Sequence, residues 1–177
     1  MCGVDLWWLL SVKDYWYAVV SALIGAAIGI GWTIRHFKMQ QREASNRCLA
    51  RLRECLSFNI DRLNQAKGQL EKNEVPNYPL DTVQLNYWLA QSHDIVPADL
   101  IRALDWQRYQ LDHISSKIVT VNQSVVAAAG FPENTDLVIS LRQHIERVLE
   151  QLPPLLDKVP RHAEPVAAVD PPRAAGH

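Results

Sequence analysis

The sequence predicts an all-α protein: an N-terminal transmembrane helix continuing into a cytoplasmic antiparallel helical bundle. Three observations carry this. Residues 16–34, WYAVVSALIGAAIGIGWTI, contain no charged side chain. Beyond them, apolar residues recur at alternating steps of three and four in separate long stretches, the period of a helix with one buried face. No stretch alternates apolar and polar residues over the length of a strand. At 177 residues and 48% hydrophobic content, the chain suits one folded domain with an additional segment.

The first element is the apolar run. At 1.5 Å per residue, nineteen residues span roughly 28 Å, about the hydrocarbon thickness of a bilayer. Tyr15 and Trp16 lie at one end and Trp32 at the other, where amphipathic rings favour headgroup depth. Only Lys13 precedes the run as a basic residue, and no small-x-small cleavage site follows it, so an uncleaved anchor over residues 15–37 is expected. Residues 1–14 are expected to lie in the membrane interface, with Trp7 and Trp8 at headgroup level. Ser21, Gly25 and Gly29 recur every four residues, beside a second row of Ala18, Ala22 and Ala26. Small residues at this spacing let two helix backbones approach closely in lipid, so self-association is expected through this face.

Net charge is −1, which excludes a uniformly basic nucleic-acid binder, but the average hides a strong local bias. Residues 35–53 carry Arg35, Lys38, Arg42, Arg47, Arg51 and Arg53 against Glu43 alone. Basic residues collect on the cytoplasmic side of a span, and here they follow it. The expected placement is a single pass through a bacterial inner membrane with the C-terminal domain in the cytoplasm.

The helical domain is expected over residues 38–152. Leu49, Leu52, Leu56, Asn59, Leu63, Ala66 and Leu70 form a heptad seam, a coiled-coil-like pattern. Asn59 occupies a seam position, where a buried amide either fixes register between copies or bonds a neighbouring helix of its own chain. Cys48 and Cys55 flank the seam as small hydrophobes. Pro76 and Pro79 end this helix in a loop. Asp81 or Thr82 caps a short helix over 83–90 with Leu85, Trp88 and Leu89 inward, and Pro97 opens a long helix to about Ala129, stopped by Gly130 and Pro132. Its stripe is Leu100, Leu104, Gln107, Leu111, Ile114, Ile118, Val121 and Val125; on its far side Trp106, Tyr109, His113 and Ser116 suggest contact with a second helix or subunit. Asn134 or Thr135 caps a fourth helix with the stripe Leu137, Leu141, Ile145, Val148 and Leu152, ended by Pro153–Pro154. Residues 153–177, rich in Pro and Ala, are expected to be disordered.

Chemistry has few candidates. Three cysteines give no disulfide framework, and there is no P-loop, no GxGxxG and no His/Cys pair at metal-ligand spacing, so neither metal nor cofactor is expected. His93–Asp94 lacks a nucleophile in a recognisable turn. The best catalytic alternative is Arg108-Tyr109-Gln110-Leu111-Asp112-His113. Arg stabilises phosphate charge and His transfers protons. Arg-x4-His resembles the signature of the HEPN ribonucleases, helical and usually dimeric; the resemblance implies that Arg108 and His113 contact the scissile phosphate. Five residues on one helix are about 140° apart, so a partner chain or a helix break would have to bring them together.

Two broader resemblances concern layout. Residues 15–125, with Leu56-Ser57-Phe58-Asn59-Ile60-Asp61-Arg62-Leu63, Pro76 to Pro79, Trp88 and Leu100 to Val121, resemble a diffuse group of bacterial single-pass membrane proteins with a cytoplasmic helical domain; this implies architecture only. Length, one span and Arg-x4-His also resemble the small membrane accessory proteins of type VI CRISPR systems, which implies a membrane oligomer acting in phage defence. The function expected is therefore a membrane-anchored, self-associating helical assembly or interaction module, a defence or stress effector more than an enzyme. Its expected partners are the lipid bilayer, further copies of itself and a protein partner, with nucleic acid only under the ribonuclease alternative. A periplasmic helical stalk is a third reading, opposed by the basic residues after the span.

Overall fold

A computed structural model describes residues 6–76, 79–128 and 136–163, with side chains from Tyr15 onward. The described residues form four helices and no strand: α1 (Leu6–Glu71), α2 (Thr82–Gln91), α3 (Ala98–Ala128) and α4 (Asp136–Lys158). The chain divides into two units, Met1–Glu43 and Ala44–His177.

In the first unit, α1 is long and apolar enough to cross a membrane, with a mean hydropathy of 1.8 over its most apolar window and none of that window buried. The one hydroxyl that a lipid environment would leave stranded near the end of the run is satisfied locally: Thr33 Oγ1 donates to the Gly29 carbonyl at 2.8 Å. Trp7, Trp8 and the rest of residues 1–14 lie outside the described side chains.

In the second unit all four helices contribute to one core. Leu49, Leu52, Leu56, Leu63, Ala66 and Leu70 are buried, as are Leu85 and Leu89, the α3 stripe from Leu100 to Val121, and Leu141, Ile145, Val148 and Leu152. The heptad seam of α1 is thus covered by α2, α3 and α4 of its own chain. The coiled-coil-like spacing of these positions is met by burial within the second unit. On α4 the buried residue of the first turn is Val138, with Leu137 only partly buried.

Helix ends follow from particular side chains. α1 stops at Asn73, whose φ of 57° is left-handed, a conformation that Asn tolerates better than most residues. Glu74 N–H donates to the Gln69 carbonyl at 2.9 Å and Asn73 N–H to the Leu70 carbonyl at 3.2 Å, which is the two-bond Schellman closure. Asp81 caps α2, accepting from Gln84 N–H at 3.0 Å. Pro97 accepts the first bond of α3 from Ile101 N–H at 3.0 Å. The expected stops Gly130 and Pro132 and caps Asn134 and Thr135 lie outside the described residues.

The expected end of α4 at Pro153–Pro154 is not what the structure shows. The helix carries both prolines and runs to Lys158. Prolines remove two helical N–H donors, but the buried stripe continues past them: Leu155 and Leu156 are half-buried against the core, and Val159 and Ala163 are buried. Packing overrides the local stop signal. Arg53 then closes the helix, its Nη1 donating to the Leu156 carbonyl at 2.9 Å and the Val159 carbonyl at 2.7 Å. Ala163 N–H donates to Asn46 Oδ1 at 2.8 Å. Residues 153–163 therefore belong to the fold, and 164–177 lie outside the described residues.

Candidate functional site

Two groups of residues bear on function, one in each unit. In the first, Ser21, Gly25 and Gly29 are exposed, and a Cβ built on either glycine meets no atom within 4 Å. The surrounding helix is a nearly continuous apolar surface: Leu23 is 65% exposed, Ile28 68% and Trp32 70%. In water such a surface is a large apolar patch, and among the described residues none of its most apolar window is buried. The interface residues Tyr15, Trp16 and Trp32 are exposed at the two ends of the run, and Arg35, Lys38 and Arg42 are exposed just beyond it. These positions suit two roles at once: aromatic and basic side chains for headgroups, and small side chains for close helix approach.

Asn59, grouped with the self-association residues on sequence grounds, has a different place. It is fully buried within the second unit. Its Nδ2 donates to the Cys55 carbonyl at 2.9 Å and the Asp81 carbonyl at 3.2 Å, while Asp81 N–H donates to Asn59 Oδ1 at 2.8 Å. The amide pairs with both backbone groups of the residue that caps α2, so it fixes an intrachain junction, one of the two roles its seam position offers. Removing a side chain that satisfies buried backbone groups leaves their desolvation uncompensated. Asn59→Ala is expected to cost about 2–3 kcal/mol, read as a lower urea midpoint for loss of the α2–α4 signal in the micelle-embedded protein. Cys55 beside it is buried, and burial together with the Asp81 charge pushes its thiol up, away from nucleophilic thiolate character.

The ribonuclease alternative meets its test on α3. That helix is unbroken from Ala98 to Ala128, so the angular separation of Arg108 and His113 stands. Arg108 Nε pairs with Asp105 at 2.9 Å and its Nη1 with Asp112 at 3.1 Å. Both carboxylates occupy the faces of the guanidinium that a phosphate would use. His113 is exposed, its ring centroid 5.3 Å from that of His144. Among the described residues no contact joins Arg108 to His113. The wider wedge is open as well: Trp106 and Tyr109 are each 56% exposed and stack on one another with centroids 5.6 Å apart. No described helix of the chain covers them.

From the sequence, Arg142 and His144 lie two apart on one helix and face different ways, so His144 is no catalytic candidate there. It is buried, and its Nε2 donates to Gln110 Oε1 at 2.5 Å. Burial, with Lys117, His113 and Arg147 nearby, lowers its pKa to about 4, so the ring is neutral at pH 7. The signal for it was present: His144 sits three residues after Leu141 on the α4 stripe, on its buried edge. Arg142, two residues earlier, donates from Nη2 to the Leu70 carbonyl and, at 3.2 Å, to Asn73 Oδ1, closing the end of α1. These residues hold helices together, and none of them forms a reacting pair. No group of three or more metal-ligating side chains occurs among the described residues.

No protein family, curated protein or solved structure matches the chain.

Proposed function

We propose that this chain is a membrane-anchored helical assembly module. In this reading residues 15–37 cross the bacterial inner membrane once, the chain self-associates through the Ser21–Gly25–Gly29 face, and the second unit is an antiparallel helical bundle in the cytoplasm that presents itself to a protein partner. The observation that supports it most is the uncovered apolar helix: residues 16–34 carry no charge and the most apolar window has none of its surface buried in the chain. Lipid supplies the missing cover, and small residues supply a contact that packing alone can stabilise in lipid. The excess of basic residues in 35–53 supports the cytoplasmic side for the second unit. The cross-helix contacts support the bundle: Gln107 with Gln151, Gln110 with His144 and Lys117 with Ser140 pair rising numbers on α3 with falling numbers on α4.

The test is topology. The full chain, expressed in a bacterium, is expected to stay in the membrane pellet after alkaline carbonate washing. A phosphatase reporter fused after His177 is expected to be silent, and a cytoplasmic fluorescent reporter at the same place bright. Release by carbonate would sink the anchor, and an active phosphatase would place the helical unit in the periplasm, as the stalk reading requires.

A further inference from the structure

Arg35, Lys38 and Arg42 follow the apolar run at steps of three and four, and all three are exposed. At 100° per residue they occupy an arc of about 60° on one face of α1. They take part in no ion pair among the described residues, and the sequence holds no acidic residue between Asp14 and Glu43. Elsewhere some cations have carboxylate partners, Arg51 in Glu54, Lys67 in Glu146 and Arg108 in Asp105 and Asp112, while others such as Arg102 stand singly on the surface and form no such cluster.

Position along the axis matters as much as charge. Arg35 stands one turn beyond Trp32, and Lys38 one turn beyond Arg35. With the Trp32 indole at headgroup level, Arg35 and Lys38 sit roughly 5 and 9 Å further out, within the headgroup layer. Cα–Cβ bonds tilt toward a helix N-terminus, so all three long side chains lean back toward the bilayer, and Arg42 reaches the same layer by extending its stem. The mean direction of the stripe lies roughly 120° around the axis from that of Gly25 and Gly29. When copies pack through the small face, the cations turn outward to lipid instead of toward one another.

We propose that Arg35, Lys38 and Arg42 form a binding site for the headgroups of anionic phospholipids at the perimeter of the assembly. The site rests on the membrane reading above. Three clustered cations that form no ion pair with a carboxylate among the described residues match the phosphodiester charge of such a lipid, while a zwitterionic headgroup brings its own ammonium and gains little. The acyl chains meet the apolar surface of the same helix, so the ligand is a lipid and not a free phosphate.

The experiment uses the full chain in phosphatidylcholine vesicles carrying trace spin-labelled lipid, either phosphatidylglycerol or phosphatidylcholine. Spin resonance resolves lipid immobilised at the protein perimeter from bulk lipid. The expected result is a several-fold preference for phosphatidylglycerol, reduced toward one in Arg35→Gln/Lys38→Gln/Arg42→Gln and retained in Arg51→Gln/Arg102→Gln. A preference near one in the unmodified chain overturns the site, and so does a preference that survives the triple substitution. Absence of any immobilised lipid overturns the membrane reading itself, and the site with it.

Discussion

Replacing Gly25 and Gly29 together by Ile is expected to convert a discrete oligomer of the detergent-solubilised protein into a monomer. The substitution tests contact and not folding, because among the described residues a Cβ at either position has no neighbour within 4 Å. Within a helix Ile is favoured over Gly by roughly 0.5 kcal/mol per position, so α1 itself gains. What the branched side chains remove is the close approach of two backbones, on which association in lipid depends where no hydrophobic gain is available. The measurement is mass by light scattering with the detergent contribution subtracted, at matched protein concentration. A monomer in both chains would end the self-association reading, and with it the dimer that a HEPN-like site would need. An oligomer in both would move the contact off the small face.

Acid is expected to unfold the second unit through His144. Its folded pKa of about 4 lies below the ordinary 6.5, so the unfolded chain takes up a proton that the folded one refuses. Stability is then complete above about pH 6.5 and falls as the pH drops toward 4. The full difference corresponds to about 3 kcal/mol at and below pH 4, a large share of the stability of a domain this size. Protonation also sets a cation beside Lys117, His113 and Arg147. Urea midpoints for the helical unit at pH 7.5 and pH 4.5, in unmodified protein and in His144→Gln, separate this ring from every other titrating group. The unmodified protein is expected to lose much more between the two conditions. Equal losses would show that the buried imidazole does not govern the acid response.

The long elements were legible because they are repeats of one simple pattern. The α1 seam and the α3 stripe from Leu100 to Val121, Gln107 included, are buried as their spacing requires, with Val125 partly buried. The cap of α2 was legible as Asp81 or Thr82, since both side chains can accept from a first-turn N–H, and the structure selects Asp81. What was not legible depends on residues far away in sequence. Pro153–Pro154 reads as a stop from either side, and only Arg53, on another helix, and the buried Val159 explain why α4 passes through. Asn59 could serve a second copy or its own chain equally well from its heptad position, and the deciding partner, Asp81, lies across a proline loop. His144 was not picked out beside the α4 stripe, and its neutrality depends first on burial and then on charges that include Lys117 and His113 from α3. At the apolar run the pattern alone carries the argument, since none of its most apolar window is buried.

The two arginine closures have a kinetic meaning. Arg53 fastens the end of α4 across a sequence separation of 103 residues, and Arg142 fastens the end of α1 across 72. Each helix is shut by a side chain from the other, so neither end is finished until both are in place. Contacts that close such long stretches of chain carry a large loop-entropy cost, so they are expected to form late. Interactions of that kind set how slowly a protein opens more than how quickly it forms. The pair therefore acts as a lock on lifetime: with either arginine lost, the helical unit would assemble at its former pace and come apart sooner.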